Sequence, residues 1–228
     1  YPLMMLGVAF LVVIGLLTKM VPSMKGIFQQ GGKELPGPTQ LLVDASDFLL
    51  GNYVMLSGVL FFAVVSFTYW RSTPRGKYQL DSMLLRLPMT AYFSRTKAVV
   101  QFSKTLGMLL ESGVNLPEAL DIVCNIVDNN VLTQQLKQAQ DKIIKEGKIA
   151  RYLKETGIFP NIASYMISTV EQSGQLAQML LTVGSDYEVE LQEFTESLTA
   201  KIAPIMTFVL VGIVGFIMVS ILLPIMSM

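Results

Sequence analysis

The amino-acid sequence predicts an all-α integral membrane protein with three transmembrane helices and one cytoplasmic six-helix bundle domain. Two observations lead to this fold class. Three long segments are almost entirely apolar and nearly free of charge, which is typical of helices that cross a lipid bilayer. Between the second and third segments, apolar residues repeat at three- and four-residue steps without any alternating strand pattern, which predicts helices throughout.

Each of the three apolar segments is long enough to cross a bilayer. They are residues 1–21, 52–70 and 201–228, and the last carries no charge after Lys201. A helix rises 1.5 Å per residue, so about 20 residues span the ~30 Å hydrocarbon layer. The composition agrees, because 52% hydrophobic residues and a mean hydropathy of +0.52 exceed what is usual for a soluble domain.

Lysine and arginine residues set the predicted orientation. They crowd after the second span, with Asp81 as the nearby acid: Arg71, Arg75, Lys77, Arg86, Arg95, Lys97 and Lys104. By the positive-inside rule, the domain 71–200 is cytoplasmic, and the connection 22–51 and the C-terminus are external. Anionic lipid headgroups account for this basic stretch beside a span more simply than nucleic acid does, so we expect a lipid bilayer and no nucleic acid as its partner.

The start of the chain indicates a fragment. Tyr1 and Pro2 open directly on an apolar span, without an initiator Met, a positive n-region or a small-residue cleavage site. This pattern does not match a signal peptide. We therefore expect a native precursor that continues upstream on the cytoplasmic side.

The cytoplasmic segment predicts six helices. Proline at a first helical turn, as at Pro117, and glycine at a helix end, as at Gly147, mark the boundaries. The sole cysteine, Cys124, is expected to be a buried small apolar residue, since it has no internal disulfide partner. The predicted helices are Thr96–Ser112, Pro117–Val127, Asn130–Glu146, Ile149–Thr156, Asn161–Ser173 and Gln175–Ala200.

Two similar turns separate helices of this domain. Glu111-Ser112-Gly113 and Glu171-Gln172-Ser173-Gly174 each end one helix and open the next, and Gly113 and Gly174 are predicted left-handed C-caps. Glu111 and Glu171 stand at helix C-termini, where the macrodipole disfavours an anion by about 0.3–1 kcal/mol. They are therefore candidates for contact with a partner or another helix, and solvation at a surface is the alternative.

The sixth predicted helix joins the domain to the third span. An apolar stripe follows one face: Leu176, Leu180, Val183, Tyr187, Leu191, Phe194 and Leu198. The acids Glu190, Glu193 and Glu196 lie largely off that stripe and are candidates for binding a basic partner, with plain solvation as the alternative. Pro204 interrupts the helix and is a candidate hinge. A helix that is merely continuous is the other interpretation.

Several stretches of the chain resemble one family. They are FSKTLGMLLESGV at Phe102–Val114, VEQSGQL at Val170–Leu176, LLPI at Leu222–Ile225, and the residues Val21-Pro22 and Leu35-Pro36-Gly37-Pro38-Thr39 around the first connection. Together they resemble the GspF/PilC-type inner-membrane platform proteins of type II secretion and type IV pilus systems. The resemblance covers nearly the whole chain. The family usually carries another helical cytoplasmic domain before its first span.

The resemblance implies a non-enzymatic assembly platform in the bacterial inner membrane, multi-pass, with a periplasmic C-terminus. Its implied partners are a cytoplasmic secretion or pilus ATPase, pilin or pseudopilin subunits, other inner-membrane assembly proteins and further copies of itself. No cofactor is implied.

The residues themselves argue against catalysis. The sequence has no histidine, and neither a P-loop nor a nucleophile-elbow motif occurs, so we expect no catalytic residue and no metal site. Two other classes stay open. A transporter or channel component would place ionisable residues inside the spans, which are nearly free of them. A signal-relaying membrane protein would need an external ligand domain, and the external connection is short.

Overall fold

A computed structural model describes residues 2–16, 18, 21, 37–171 and 173–226. In this part of the chain all regular structure is helical and there is no strand, which confirms the predicted all-α class. The chain divides into two compact units. Residues Phe67–Glu196 form one unit, and Tyr1–Ser66 together with Ser197–Met228 form the other.

The helices follow one another with short connections. We number them α1 to α10 in chain order: α1 Pro2–Gly15, α2 Gly37–Gly51, α3 Tyr53–Ser72, α4 Pro74–Leu84, α5 Pro88–Glu111, α6 Leu116–Ile126, α7 Asn130–Glu146, α8 Ile149–Glu155, α9 Asn161–Val170 and α10 Leu176–Met226. The helices α3 and α10 contribute to both units. We refer to the unit Phe67–Glu196 as the helical domain.

The predicted helices of the domain correspond to α5 to α10. The bounds of α7 are those predicted, whereas α5 begins at Pro88, earlier than the predicted Thr96. The sequence analysis missed α4, although its start carries a local signal: the Thr73 hydroxyl accepts a hydrogen bond from the Gly76 N–H at 3.2 Å, ahead of a first-turn proline. The predicted sixth helix and third span are one helix, α10.

Two of the described helices, α3 and α10, are long and apolar enough to cross a membrane. Helix α1 has 14 residues and is shorter than that requirement. Parts of the first predicted span, residues 22–36 of the connection and residues 227–228 lie outside the described residues. The arrangement of three spans therefore stays a prediction. The connection contains a helix, α2, that the sequence analysis did not anticipate.

The helical domain has a continuous apolar core. Phe102 on α5 and Phe159 meet edge to face, with ring centroids 5.4 Å apart. Leu180 and Val183, from the predicted stripe of α10, are fully buried in the same core, while Phe194 is partly buried. Cys124 is fully buried as predicted, and burial raises the pKa of its thiol to about 11. The stripe thus joins the first turns of α10 to the domain.

Helices α5 and α10 approach each other closely at two glycines. A Cβ atom on Gly107 would lie 2.8 Å from Leu181 Cγ and 2.9 Å from the Ala177 carbonyl oxygen. A Cβ atom on Gly184 would lie 2.5 Å from Lys104 Cγ. These distances are shorter than van der Waals contact, so the crossing requires glycine at both positions.

The other unit has a small buried cluster, formed in the described residues by Val21, Leu42, Val43 and Ile217. The buried hydroxyl of Thr39 on α2 donates to the Ser220 carbonyl oxygen of α10 at 2.6 Å. Helix α3, in contrast, has no buried residue.

Candidate functional site

The acidic face of α10 is the first candidate for contact with a partner. It consists of Asp186, Glu188, Glu190, Glu193 and Glu196, all of them exposed. These acids lie outside the apolar stripe of α10, whose residues Leu180 and Val183 are buried in the domain.

Two of these acids contact α5. The Tyr92 hydroxyl donates a hydrogen bond to Glu190, and the Tyr92 ring packs against Phe194 with centroids 4.8 Å apart. The hydrogen bond to Glu190 is the main cause that raises the pKa of Tyr92, with burial as the second. Lys104 Nζ lies 2.6 Å from Glu188 Oε2. The structure thus engages Glu190 and Glu188 within the domain.

The two C-terminal acids, Glu193 and Glu196, make no contact with another helix through hydrogen bonds or ion pairs among the described residues. Glu196 accepts a hydrogen bond from Gln192 Nε2 at 2.9 Å, one turn earlier on the same helix. In the described part of the chain, the Glu193 side chain has no hydrogen bond or ion pair. Of the three predicted partner-binding acids of α10, Glu193 and Glu196 are therefore the ones not committed to another helix.

Both predicted turns contain a glycine with a positive φ angle. Gly113 has φ +85° and Gly174 has φ +76°, so both occupy the left-handed region. At the first turn, the Val114 N–H donates to the Leu109 carbonyl oxygen at 2.9 Å, which closes the α5 C-terminus in a Schellman arrangement. Gln172 in the second turn lies outside the described residues.

The glutamates beside these turns have different surroundings. Glu171 Oε1 accepts from the Ile149 N–H and, at 3.3 Å, from the Ala150 N–H, so it caps the N-terminus of α8. Glu111 is exposed, and the structure shows no hydrogen bond to it from any described residue. The structure therefore brings Glu171, but not Glu111, to another helix.

Sequence reasoning missed which groups these acids meet. For Glu171 a signal existed: the N-cap position of α8 is Lys148, which makes no side-chain cap, so the first N–H groups of that helix needed a distant acceptor. For Tyr92 and Lys104 no local signal exists, because their pairing with α10 depends on how two distant helices cross.

A cleft of about 710 Å³ is a second candidate that the sequence did not indicate. It lies among the end of α3, helices α4 and α5, and the turn between α6 and α7, entirely within the helical domain. Its charged lining residues are Arg71, Lys77, Lys97, Asp81 and Asp128.

These features define a class of protein. Apolar helices of membrane-spanning length continue into a helical domain that presents an acidic face. Among the described residues, no group of three or more His, Cys, Asp or Glu side chains is arranged to bind a metal ion. The chain is thus all-helical in its described part, with two helices, α3 and α10, that are long and apolar enough to cross a membrane.

Comparison with known proteins identifies the family. The family model described as "Type II secretion system (T2SS), protein F" matches residues 102–224. The match begins at Phe102, the first residue of the motif noted in the sequence, and extends to Pro224. The chain belongs to this family, which confirms the resemblance. Together with the two apolar helices, family membership indicates a membrane protein.

Individual relatives match all or nearly all of the chain. It is 33% identical over 228 residues to the type IV pilus assembly protein PilC of Myxococcus xanthus, covering 100% of this chain and 55% of that protein. It is 37% identical to the type IV pilus assembly protein PilC of Thermus thermophilus, in a match that covers 98% of this chain and 55% of that protein. It is 30% identical to type II secretion system protein F of Pseudomonas aeruginosa, in a match that covers 100% of this chain and 56% of that protein. The chain thus spans little more than half the length of these relatives.

Proposed function

We propose that the chain acts as a non-enzymatic inner-membrane assembly platform in type II secretion or type IV pilus biogenesis. In this role it couples a cytoplasmic hexameric ATPase to the extraction and polymerisation of pilin-like subunits. Membership of the protein F family supports the role, and so do relatives named for pilus assembly and for type II secretion.

The observation that carries this proposal is the continuity of α10. Its first turns place Leu180 and Val183 in the core of the helical domain. The same helix then runs on as an apolar segment to Met226. One end of this helix is packed in the domain core, and the other end is apolar enough to lie in a bilayer. Such a helix can transmit movement of the cytoplasmic domain to the membrane.

The test of the role is assembly in cells. Deleting the native gene should abolish pilus filaments or secretion and leave the uptake of small solutes intact. Restoring the gene should restore assembly. Normal assembly in the deletion strain would contradict the proposal, and a specific loss of solute uptake would favour the transporter alternative.

Contact with the ATPase is proposed through the open end of the acidic face. Changing Glu193 and Glu196 to Lys should weaken co-purification of the native protein with the ATPase, in a manner that depends on salt concentration. The matched control changes Asp121 and Asp141, exposed acids on α6 and α7, to Lys. If both double variants co-purify equally well with the ATPase, Glu193 and Glu196 are solvated surface residues and do not bind it.

Pro204 is the proposed hinge between the domain and the apolar part of α10. It lies inside the helix and has no N–H to donate to the preceding turn, so bending there costs little. Pro204→Ala restores that hydrogen bond and should impair filament assembly while membrane insertion and ATPase binding persist. Assembly at the wild-type level in this variant would remove the hinge from the proposal.

The proposed orientation places the helical domain in the cytoplasm and the C-terminus in the periplasm. A reporter fused after Met228 should then read as periplasmic, and one fused after Lys77 should read as cytoplasmic. Reporters that read the same side would require an even number of crossings between these two positions.

A further inference from the structure

The cleft at the end of α3 combines positive charge with apolar walls. Arg71, Lys77 and Lys97 contribute cationic groups, and Phe67, Leu84 and Phe93 contribute apolar surface. Its volume of about 710 Å³ is in the range of sites that bind small molecules. No described contact of the acidic face or of the two glycine turns involves this cleft.

The acids of the cleft are already engaged within the domain. Asp81 Oδ2 accepts from the Asn130 N–H at 2.8 Å, at the start of α7. Asp128 Oδ2 lies 2.5 Å from Lys97 Nζ, and that hydrogen bond is the main cause that lowers the pKa of Asp128. The two carboxylates therefore neutralise or stabilise groups of the domain itself.

Two cations of the cleft have no such partner. Within the described residues, neither Arg71 nor Lys77 has a direct ion pair, although the charge of Lys77 also contributes to lowering the pKa of Asp128, and both side chains are exposed. With three cationic and two acidic side chains in its lining, the cleft has a formal excess of one positive charge. An exposed anion that enters the cleft would meet Arg71 and Lys77 without displacing an existing ion pair.

The position of the cleft narrows the choice of anion. Its residues Phe67 and Arg71 belong to the last two turns of α3, Tyr53–Ser72, which is apolar enough to cross a membrane. The end of such a helix lies at the level of the lipid headgroups, where basic pockets beside spans bind anionic lipids. A phospholipid presents a phosphate and, beyond the glycerol ester groups, acyl carbons, which matches the cations and the apolar wall of the cleft.

We propose that this cleft binds the headgroup of an anionic phospholipid. Arg71 and Lys77 contact the phosphate, and the first acyl carbons pack on Phe67 and Phe93. The inference depends on the proposed membrane location of α3. It is independent of the proposed ATPase and pilin partners, so either proposal can fail without the other.

The test is a lipid titration of the purified protein in non-ionic detergent, read by native mass spectrometry. Dioleoyl-phosphatidylglycerol should bind at least about tenfold more tightly than dioleoyl-phosphatidylcholine. The double variant R71Q/K77Q should lose about tenfold in phosphatidylglycerol affinity. The control R75Q/R86Q removes the same charge from residues that do not line this cleft, and should stay within about twofold of wild type. Equal losses in both double variants would show diffuse attraction and overturn the site.

A variant that is expected to raise the lipid affinity distinguishes a real site from a loss of binding caused by misfolding. D128N removes the carboxylate that neutralises Lys97, so it should raise phosphatidylglycerol affinity by about threefold. A fall in affinity in a normally helical D128N protein would contradict the proposal.

A second arm separates lipid from soluble phosphate. Inorganic phosphate, titrated in the same assay up to about 50-fold molar excess over lipid, should not displace phosphatidylglycerol, because it lacks the acyl carbons. Displacement at equal concentrations would assign the cleft to a soluble phosphate and overturn the lipid assignment.

Discussion

The helical domain and helix α3 contain the same kinds of apolar side chain, yet they use them in opposite ways. In the domain, residues from successive helices, such as Phe102, Leu136 and Leu180, are buried against one another. In α3, Phe61 and Phe62 are among many large apolar side chains that stay exposed, and no residue is buried. The hydrophobic effect can fold the domain in water, whereas the surface of α3 requires a bilayer or a partner.

Hydroxyl groups can be satisfied in the same way in both regions, by carbonyl oxygens of their own helix. Ser112 in the domain donates to the Met108 carbonyl oxygen at 2.8 Å, and Ser57 in α3 donates to the Val54 carbonyl oxygen at 2.9 Å. Such internal hydrogen bonds leave a helix free to lie in water or in hydrocarbon, so the two regions differ in their apolar surface and not in these polar groups.

The largest expected effect tests burial within the domain. Ile143 and Ile144 are neighbours on α7, but Ile143 is 1% exposed and Ile144 is 46% exposed. Ile143→Ala leaves a cavity in the core and should lower the free energy of unfolding by about 2–5 kcal/mol. Ile144→Ala should cost less than about 1 kcal/mol. Urea unfolding of the full chain in detergent, followed by circular dichroism, measures both.

The same pair also sharpens the boundary of the domain core. A large cost for Ile144→Ala would mean that its exposed face is covered in solution, by another chain or by detergent. Similar costs for the two substitutions would remove the distinction between a packed inner face and an open outer face of α7.

Much of the fold could be predicted from the sequence because periodicity and helix punctuation are local signals. Asn129 and Gly147 mark the ends of α7, and its predicted bounds were confirmed. Helix α4 was not predicted, because it has only 11 residues and few of them are apolar. It missed α2 because a helix in a short connection was interpreted as loop. Contacts between distant helices have no local signal.

The second prediction concerns glycines in the two regions. Gly107→Ala places a methyl group against Leu181 and the Ala177 carbonyl oxygen, and should cost about 1–3 kcal/mol through overpacking of the α5–α10 crossing. At Gly212 no described atom lies within 4 Å of the position that a methyl group would take, so Gly212→Ala should be neutral or gain up to about 1 kcal/mol in helix propensity. Thermal unfolding in detergent distinguishes the two.

The outcome at Gly212 is informative in either direction. Neutrality supports an open surface on the apolar part of α10. A clear loss of stability would mean that another helix packs closely there in the assembled protein, as small residues allow in membranes. Tolerance of Gly107→Ala, in contrast, would contradict the close crossing inside the domain.

The candidate site was predictable only in part, and for a physical reason. Glu171 was singled out because an anion at a helix C-terminus is unfavourable, and the structure shows that its carboxylate lies at the N-terminus of α8 instead. The position of Glu171 in the sequence shows that its charge is unfavourably placed, but it does not show that α8 is its partner. The cleft around Arg71 could not be predicted, because it depends on how α3, α4, α5 and the turn between α6 and α7 pack, and that packing has no local signal in the sequence.

The smallest expected effect compares the two glutamates beside the similar turns. Glu171→Ala removes the acceptor for the first N–H groups of α8 and should lower the free energy of unfolding by about 0.5–2 kcal/mol, as the loss of an N-cap does. Glu171→Gln keeps one carbonyl oxygen and loses only the charge, so it should cost about 0.3–1 kcal/mol. Glu111→Ala is the matched control and should be close to neutral, because Glu111 is exposed at the end of α5. Unfolding of the three variants in detergent, each against wild type, gives these differences directly. Equal costs at both positions would mean that the glutamates act through their own turns, and the capping of α8 by Glu171 would then contribute nothing to the stability of the domain.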